Sequence, residues 1–318
     1  MILIISAPKD DHAMVVLERL NSRGIQTALL DLSQYPRYSH LTMRYGREAD
    51  DLNFSFRRLD ANAAIPLSSC RVAWWRRPQP VELHPEVTDA SHRFFARSEI
   101  HEALSGLWLA LDAFWMNDPT LDEKASHKPY QLKIAQEVGL EIPVTCITSD
   151  PEEARAFVRE HGPERTIYKI FTATEEAWRE TRIVKPEEIE LLDNVCYAPI
   201  IFQEYIPAEL DLRVTVVGDN IFPASVNTPE LNYKVDYRME LGVAQVEPFE
   251  LPADVASRLK ALMKRLGLVY GAVDFRLTPD GRFVFLEVNT AGQWLFIEER
   301  TGQPITEAVV ETLAAHVE

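Results

Sequence analysis

Hydrophobic spacing changes period several times along the chain, and each change predicts an element. Ile2 to Ser6 is an unbroken apolar run of strand length, Asp11 to Ser22 repeats at helical spacing and closes at Gly24, and Thr27 to Leu32 is a second strand. That βαβ opening implies a parallel sheet. Leu41 to Leu59 alternates as a hairpin would, Arg71 to Trp75 is a third buried strand, and Ser91 to Phe114 reads as one long amphipathic helix. Asn117-Asp118-Pro119 punctuates the chain, which places a domain boundary near 116. Beyond it come a helix from Lys124 to Val138 capped by Gly139, a strand from Val144 to Thr148, a helix from Pro151 to Glu160 with Asp150 as N-cap, and a strand from Thr166 to Ile170, a small α+β unit. Ile200 to Tyr205, Leu212 to Val217, Asn220 to Val226, Gln245 to Phe249 and a hairpin from Gly271 to Asn289 predict a largely antiparallel sheet. Val255 to Leu266 is an intervening helix, and Ile305 to Val317 closes the fold.

The last hairpin carries acids where apolar residues belong. Its two runs flank Thr278-Pro279-Asp280-Gly281, a turn signal. Side chains alternate across a strand, so Glu287 and Asn289 share one face with Phe285, while Val284, Leu286 and Val288 take the other. If Leu277 pairs with Arg282, Asp274 faces Phe285 and lies diagonal to Glu287; a slip of two residues sets Asp274 opposite Glu287, and only an odd slip separates them. Two carboxylates and an amide are hard oxygen donors suited to Mg²⁺ and, through it, to substrate phosphates. A solvated acidic face is the competing reading. The apolar company of these acids favours enclosure, and enclosed carboxylates need a cation or donors.

Composition narrows the function classes. The 318 residues suffice for two or three domains, and 46% hydrophobic with 26% charged residues is globular throughout. A net charge of −16 argues against a nucleic-acid surface and against an anionic membrane. The three cysteines, Cys70, Cys146 and Cys196, are odd in number and far apart, without zinc spacing, as expected of buried thiols in a cytoplasmic protein. No signal segment and no apolar stretch of spanning length is present. The first strand runs into Ala7-Pro8-Lys9-Asp10 rather than a glycine fingerprint, so a dinucleotide site is not expected there. No nucleophile and base pairing stands out among the eight histidines.

Other residues are candidates with a plain alternative each. Lys169 lies in an apolar strand, where it either reaches an enclosed site or snorkels. Lys128 begins a helix, where acids are preferred, so it serves a bound phosphate or stands solvated. Gln203-Glu204-Tyr205-Ile206-Pro207 ends a strand at a proline, leaving the Tyr205 and Ile206 backbone available to an adenine edge or simply at a sheet margin. Asp211 and Arg213 share a strand face with Glu209. Arg238 lies in the polar, aromatic-rich loop Asn232 to Arg238, a lid candidate. Both arginines are planar forks matched to phosphates. Trp294 follows a glycine turn and reads slightly better as core than as a substrate contact.

Taken in order, Lys128, Lys169, Gln203 to Ile206, Asp211-x-Arg213, Asp236-Tyr-Arg238, Asp274 and Glu287-x-Asn289 resemble the ATP-grasp carboxylate-amine ligases. Trp74-Trp75-Arg76-Arg77-Pro78 and Phe285-Leu-Glu-Val-Asn-Thr-Ala-Gly-Gln-Trp294 are similar to segments of the graspetide maturases, the microviridin-type macrocyclases, with ribosomal S6 glutamate ligases as nearer relatives than most. The resemblance covers essentially the whole chain. It implies an α/β and α+β ATP-grasp fold: an N-terminal pre-ATP-grasp α/β domain over 1–116, a central α+β unit over 117–203 and a C-terminal antiparallel unit over 204–318. By that resemblance Lys128 and Lys169 hold phosphates; Glu204 with the Tyr205 and Ile206 backbone reads adenine; Asp211 meets the ribose. Asp274, Glu287 and Asn289 carry Mg²⁺, and Arg213 and Arg238 steady the γ-phosphate and an acyl phosphate.

The implied reaction uses ATP to activate an Asp or Glu side chain of a leader-bearing precursor peptide, which a Ser or Thr hydroxyl or a Lys amine then attacks. The alternative is an amino-acid ligase of the glutamate-adding type. The resemblance also admits a homodimer. Phosphoryl transfer asks for positioning and charge neutralisation rather than a protein nucleophile, in agreement with the residues themselves. One departure stands out: the stretch from Phe171 to Arg182, where many relatives carry a glycine-rich flap, contains no glycine.

Overall fold

In the computed structural model the opening apolar run is strand β1 (Ile2–Ile5), with 1–48, 51–60, 63–171, 181–227 and 244–317 as the described residues. Helix α1 (Asp11–Ser22) starts on the Asp10 side chain, which accepts from the Ala13 N–H, and leads to β2 (Thr27–Leu30). The predicted hairpin is β3 (Ser39–Arg44) and β4 (Asn53–Arg58), extended by the short β5 (Ile65–Pro66). Strand β6 (Val72–Trp75) follows, then α2 (Ala90–Ala110) and β7 (Phe114–Met116). The parallel sheet has the order β2-β1-β6-β7. Helix α2 is shorter than expected because the chain turns extended at Leu111 and releases Phe114-Trp115-Met116, whose bulky side chains suit a strand beside β6.

A second expectation fails at Lys124–Val138. There the chain forms two helices, α3 (Pro119–Ser126) and α4 (Lys128–Glu137), separated by an extended His127. Pro129 has no N–H to return to the Ala125 carbonyl, so a continuous helix would leave that acceptor empty. The Gln131 side chain takes it instead, at 2.7 Å.

The central unit contains β8 (Thr145–Thr148), α5 (Pro151–His161), β9 (Thr166–Lys169), β10 (Arg182–Ile183) and β11 (Ile200–Glu204), in the antiparallel order β10-β9-β11-β8. Ile200–Glu204 therefore belongs here and not, as its spacing suggested, with the strands that follow. Phe157, Val158, Leu192, Val195 and Phe202 pack one side of this sheet under α5 and a 3₁₀ segment, Pro186–Tyr197. By alternation the other side carries Ile167, Lys169, Ile201 and Gln203.

The third sheet has the order β14-β13-β12-β15-β16 and is antiparallel throughout. It comprises β12 (Leu210–Val217), β13 (Asn220–Asn227), β14 (Gln245–Pro248), β15 (Tyr270–Leu277) and β16 (Phe283–Asn289), with α6 (Ala253–Leu266) crossing from β14 to β15. Leu212, Val214, Val216, Val273, Phe275, Phe285 and Val288 bury one face against Leu259, Leu262, Met263 and Leu266 of α6. On the other face Val217, Ala224, Val226 and Tyr270 meet α7 (Leu295–Thr301), α8 (Ile305–Ala314) and the α1 and β1 residues Ala13, Val16, Ile2 and Ile4. One apolar cluster thus joins the N-terminal parallel sheet to one end of the C-terminal sheet. The other end of that face holds Asp211, Arg213, Asp274, Arg276 and Glu287, the charged residues of the site.

Candidate active site

The acidic hairpin reaches its geometry through a defect. From the turn, Leu277 pairs with Phe283 and Phe275 with Phe285, an odd register that would put Asp274 and Glu287 on opposite faces. A β-bulge between Asp274 and Phe275 shifts the pairing by one residue, so Asp274 lies directly opposite Glu287. Leu286 is the extra residue. Phe285 consequently belongs to the core against α6 with Phe275, which corrects its expected place beside the acids. Ala272 pairs with Asn289, leaving Asp274, Glu287 and Asn289 on one side of the sheet.

Each acid has a cation beside it. Arg213 of β12 sits opposite Asp274 of β15 in register, and its Nη1 lies 3.0 and 3.1 Å from the two carboxylate oxygens. Both side chains are buried, 7% and 9% exposed, a location in which either charge alone would be costly. Lys128 at the start of α4 donates to Glu287. Helix α4 is locked at that height by Gln131, one turn later on the same face, which donates to the Val288 carbonyl at 2.9 Å and accepts from its N–H at 3.0 Å. The amide closes the free edge of β16 as a strand would. Nothing in the composition of the segment announces this role, although the i, i+3 spacing from Lys128 places Gln131 on the right face.

Asp211 pairs with Arg276, Nε to Oδ1 at 3.0 Å. The same guanidinium donates to the Ile206 carbonyl at 2.8 Å and lies 5.5 Å from the Tyr205 ring. Arg276, which the sequence reading passed over, therefore brings the Glu204 to Ile206 strand end to the ribose candidate; it is two residues from Asp274 and so on the same face. The strand end is less open than its proline suggested: the Tyr205 N–H donates to the Arg165 carbonyl at 2.7 Å and the Glu204 N–H to Val144 at 3.0 Å. The Ile206 N–H makes no backbone hydrogen bond among the described residues. Lys169 lies opposite Ile201, on the side of the central sheet away from α5. Arg238, and most of the glycine-free Phe171 to Arg182 stretch, lie outside the described residues.

The turn after the hairpin is gripped from the N-terminal sheet. Asn289 Oδ1 accepts from the Ala291 N–H at 3.0 Å, starting the turn. Arg76 Nη1 donates to the Ala291 and Gly292 carbonyls at 2.8 and 2.9 Å, Arg77 Nε to Ala291 at 2.9 Å, and the Tyr270 hydroxyl to Gly292 at 2.7 Å. Burial pushes the Tyr270 phenol up to about 12, so it remains a donor. His12 Nε2 accepts from the Trp294 and Leu295 N–H groups at 3.1 and 3.3 Å. Burial, with Arg76 nearby, lowers the His12 pKa to about 3, which keeps that nitrogen an acceptor. Trp294 is fully buried, its indole N–H on Thr306 Oγ1 at 3.0 Å, as its core reading anticipated.

Two antiparallel sheets, one bearing Lys169 and the Glu204 strand end and the other two matched carboxylates, have the arrangement of the ATP-grasp fold, of mixed α/β architecture. Residues 1–123 match the family model of the MvdD pre-ATP grasp domain. The whole chain is similar to two proteins solved with peptides bound. Macrocyclase MdnC of Microcystis aeruginosa MRC, bound with precursor peptide MdnA, superposes with a TM-score of 0.87 at 27% identity, covering 99% of both chains. A Chryseobacterium gregarium RiPP-associated ATP-grasp ligase, in complex with ADP and a leader and core peptide, gives 0.88 at 26%, covering 99% of this chain and 96% of that one. A probable alpha-L-glutamate ligase 1 of Shewanella sp. strain MR-4 is 27% identical over 207 residues, 63% of this chain and 67% of its own length. The microviridin-type resemblance read from the motifs thus extends to the fold of the whole chain. No helix among the described residues is long and apolar enough to cross a membrane.

Proposed function

We propose that the protein is an ATP- and Mg²⁺-dependent macrocyclase of a ribosomal precursor peptide. It activates Asp or Glu side chains of the peptide as acyl phosphates, and a Ser or Thr hydroxyl or a Lys amine of the same peptide displaces phosphate to close an ester or amide ring. The observation that carries this reading is the end-to-end likeness to a macrocyclase seen with its precursor peptide. The donor set supports it: two carboxylates in register, with an amide two positions on, are hard oxygens of the kind Mg²⁺ takes while phosphates complete its shell.

In this reading Asp274, Glu287 and Asn289 hold the metal, which neutralises phosphate charge and aligns the γ-phosphate. Lys128 passes from Glu287 to the phosphates as they arrive, and Lys169 meets them from the central sheet. The Ile206 N–H and the Glu204 and Tyr205 segment read adenine, and Asp211, held by Arg276, receives the ribose. Arg213 and Arg238 steady the acyl phosphate while the acceptor attacks. Leader recognition, the cytoplasmic location, a homodimer and the three-unit division at 116 and 203 belong to the same proposal. The acidic surface offers no purchase to nucleic acid.

The curated glutamate-ligase relatives favour a second reading, addition of an amino acid to a carboxylate. One assay separates the two. Incubated with ATP, Mg²⁺ and the peptide encoded beside it, the enzyme removes one water per ring from the peptide mass if it cyclises. A gain of one amino-acid residue mass instead establishes the second reading and overturns the first.

A further inference from the structure

We infer that Arg76 is a positioning residue for this reaction, holding the Ala291–Gly292 backbone against Arg213; the inference rests on the nucleotide-ligase reading above. Arg76 is 1% exposed and extends from the end of β6, in the N-terminal sheet, into the C-terminal unit. Its Nη1 is shared by two successive carbonyls, its Nε lies 3.4 Å from the Asp10 carboxylate, and its guanidinium stacks 5.1 Å from the Trp294 ring. A buried guanidinium spent on backbone carbonyls of a glycine turn is a costly way to hold a loop unless the loop's position matters.

What lies behind the loop shows why it matters. A Cβ built on Gly292 would come 2.6 Å from Arg213 Nη2 and 2.3 Å from the Ala272 Cβ. The backbone there touches the guanidinium that pairs with Asp274, and Gln293 offers Arg213 its carbonyl at 3.5 Å. The same turn begins at Asn289, whose side-chain oxygen is aimed by the Ala291 N–H. The grip of Arg76 therefore reaches the metal-ligand candidates on two sides, through Arg213 to Asp274 and through Ala291 to Asn289. Arg77 adds a second donor to the Ala291 carbonyl. Lysine at position 76 keeps the charge but lacks the fork that meets two carbonyls and an acid together.

The test is calorimetric titration of ADP into the full chain, with and without Mg²⁺. In the wild type Mg²⁺ raises the affinity. Arg76→Lys leaves the Mg²⁺-free affinity unchanged and cuts the Mg²⁺-dependent gain by roughly 10–100-fold, the scale of losing a residue that orients metal ligands. The double variant with Arg213→Lys loses less than the sum of the two single losses, because one of the two paths from Arg76 runs through Arg213. Arg77→Gln, at a less buried position, gives a smaller loss in the same direction and serves if Arg76→Lys does not fold. A wild-type gain in Arg76→Lys, an equal loss without Mg²⁺, or additive losses in the double variant overturns the inference. A wild-type chain that binds no ADP in either condition overturns the ligase reading itself, and this inference with it, before any variant is compared.

Discussion

The central and C-terminal sheets are both antiparallel, yet they are built to different standards, the first from four short strands and the second from five mostly longer ones. The C-terminal sheet is packed on both faces, by α6 on one and by α7, α8 and the N-terminal unit on the other. Among the described residues the central sheet carries an apolar cluster on one face, while on the other Ile201 and Gln203 are buried and Ile147, on the edge strand, is 36% exposed. The buried ion pairs lie on the sheet with two packed faces. A carboxylate and a guanidinium out of water tolerate little misplacement, and a frame held from both sides can keep Arg213 and Asp274 in register. In the proposed reading, metal and phosphate chemistry falls to the jaw held from both sides, and the nucleotide-covering role to the smaller one.

Breaking the charged row should have the largest effect. Glu287→Gln removes the charge of one proposed metal ligand and is expected to lower turnover by at least about 100-fold, while peptide binding, measured by fluorescence anisotropy, stays near wild type. Asp274→Ala should in addition cost about 3–5 kcal/mol in urea unfolding, because it strands the buried Arg213 charge. A variant with wild-type turnover at Glu287 would remove the metal assignment. Contrasting core positions sharpens the comparison next: Leu259→Ala under the C-terminal sheet is expected to cost about 2–5 kcal/mol, whereas Ile147→Ala on the central edge should stay within about 0.5 kcal/mol. Equal losses would show that the two jaws do not differ as described.

Smaller effects probe the joint between the N-terminal sheet and the C-terminal unit. Gly292→Ala forces its methyl into Arg213 and Ala272 and is expected to cost about 1–3 kcal/mol with a fall in kcat. His12 should impose a pH dependence. In the unfolded chain its imidazole takes a proton near 6.5, but in the fold it stays neutral down to about 3, so the native state binds fewer protons in that window. Stability should decline as pH falls from 6.5 toward 3, by up to about 1.4 kcal/mol per pH unit from this group. Chemical denaturation at stepped pH would read it, and His12→Gln should flatten that part of the profile.

Much of this was legible in the residues. The βαβ opening, the antiparallel strands and the face shared by Glu287 and Asn289 follow from spacing alone, since a period of 2 or 3.6 is imposed locally. The split at His127 was also written there, in Pro129, but was missed because helical periodicity on both sides concealed it. Arg276 and Gln131 were harder, because an arginine or glutamine in a strand or helix is usually a surface residue. Only the neighbours that close around them turn them into buried joints. Arg76 carried a motif but no partner, because the carbonyls it holds lie more than two hundred residues away.

By itself the sequence determined the elements, the acids and cations in their order, and the family they resemble. Tertiary structure alone decided the register that makes them a site. The turn at Asp280 and Gly281 sets an odd pairing that would have parted Asp274 from Glu287, and the bulge restores them. A bulge costs one unpaired residue wherever it forms, so its place is chosen by the packing of Phe275 and Phe285 on α6 and by the pairing of Asp274 with Arg213. Those contacts exist only once distant segments have met.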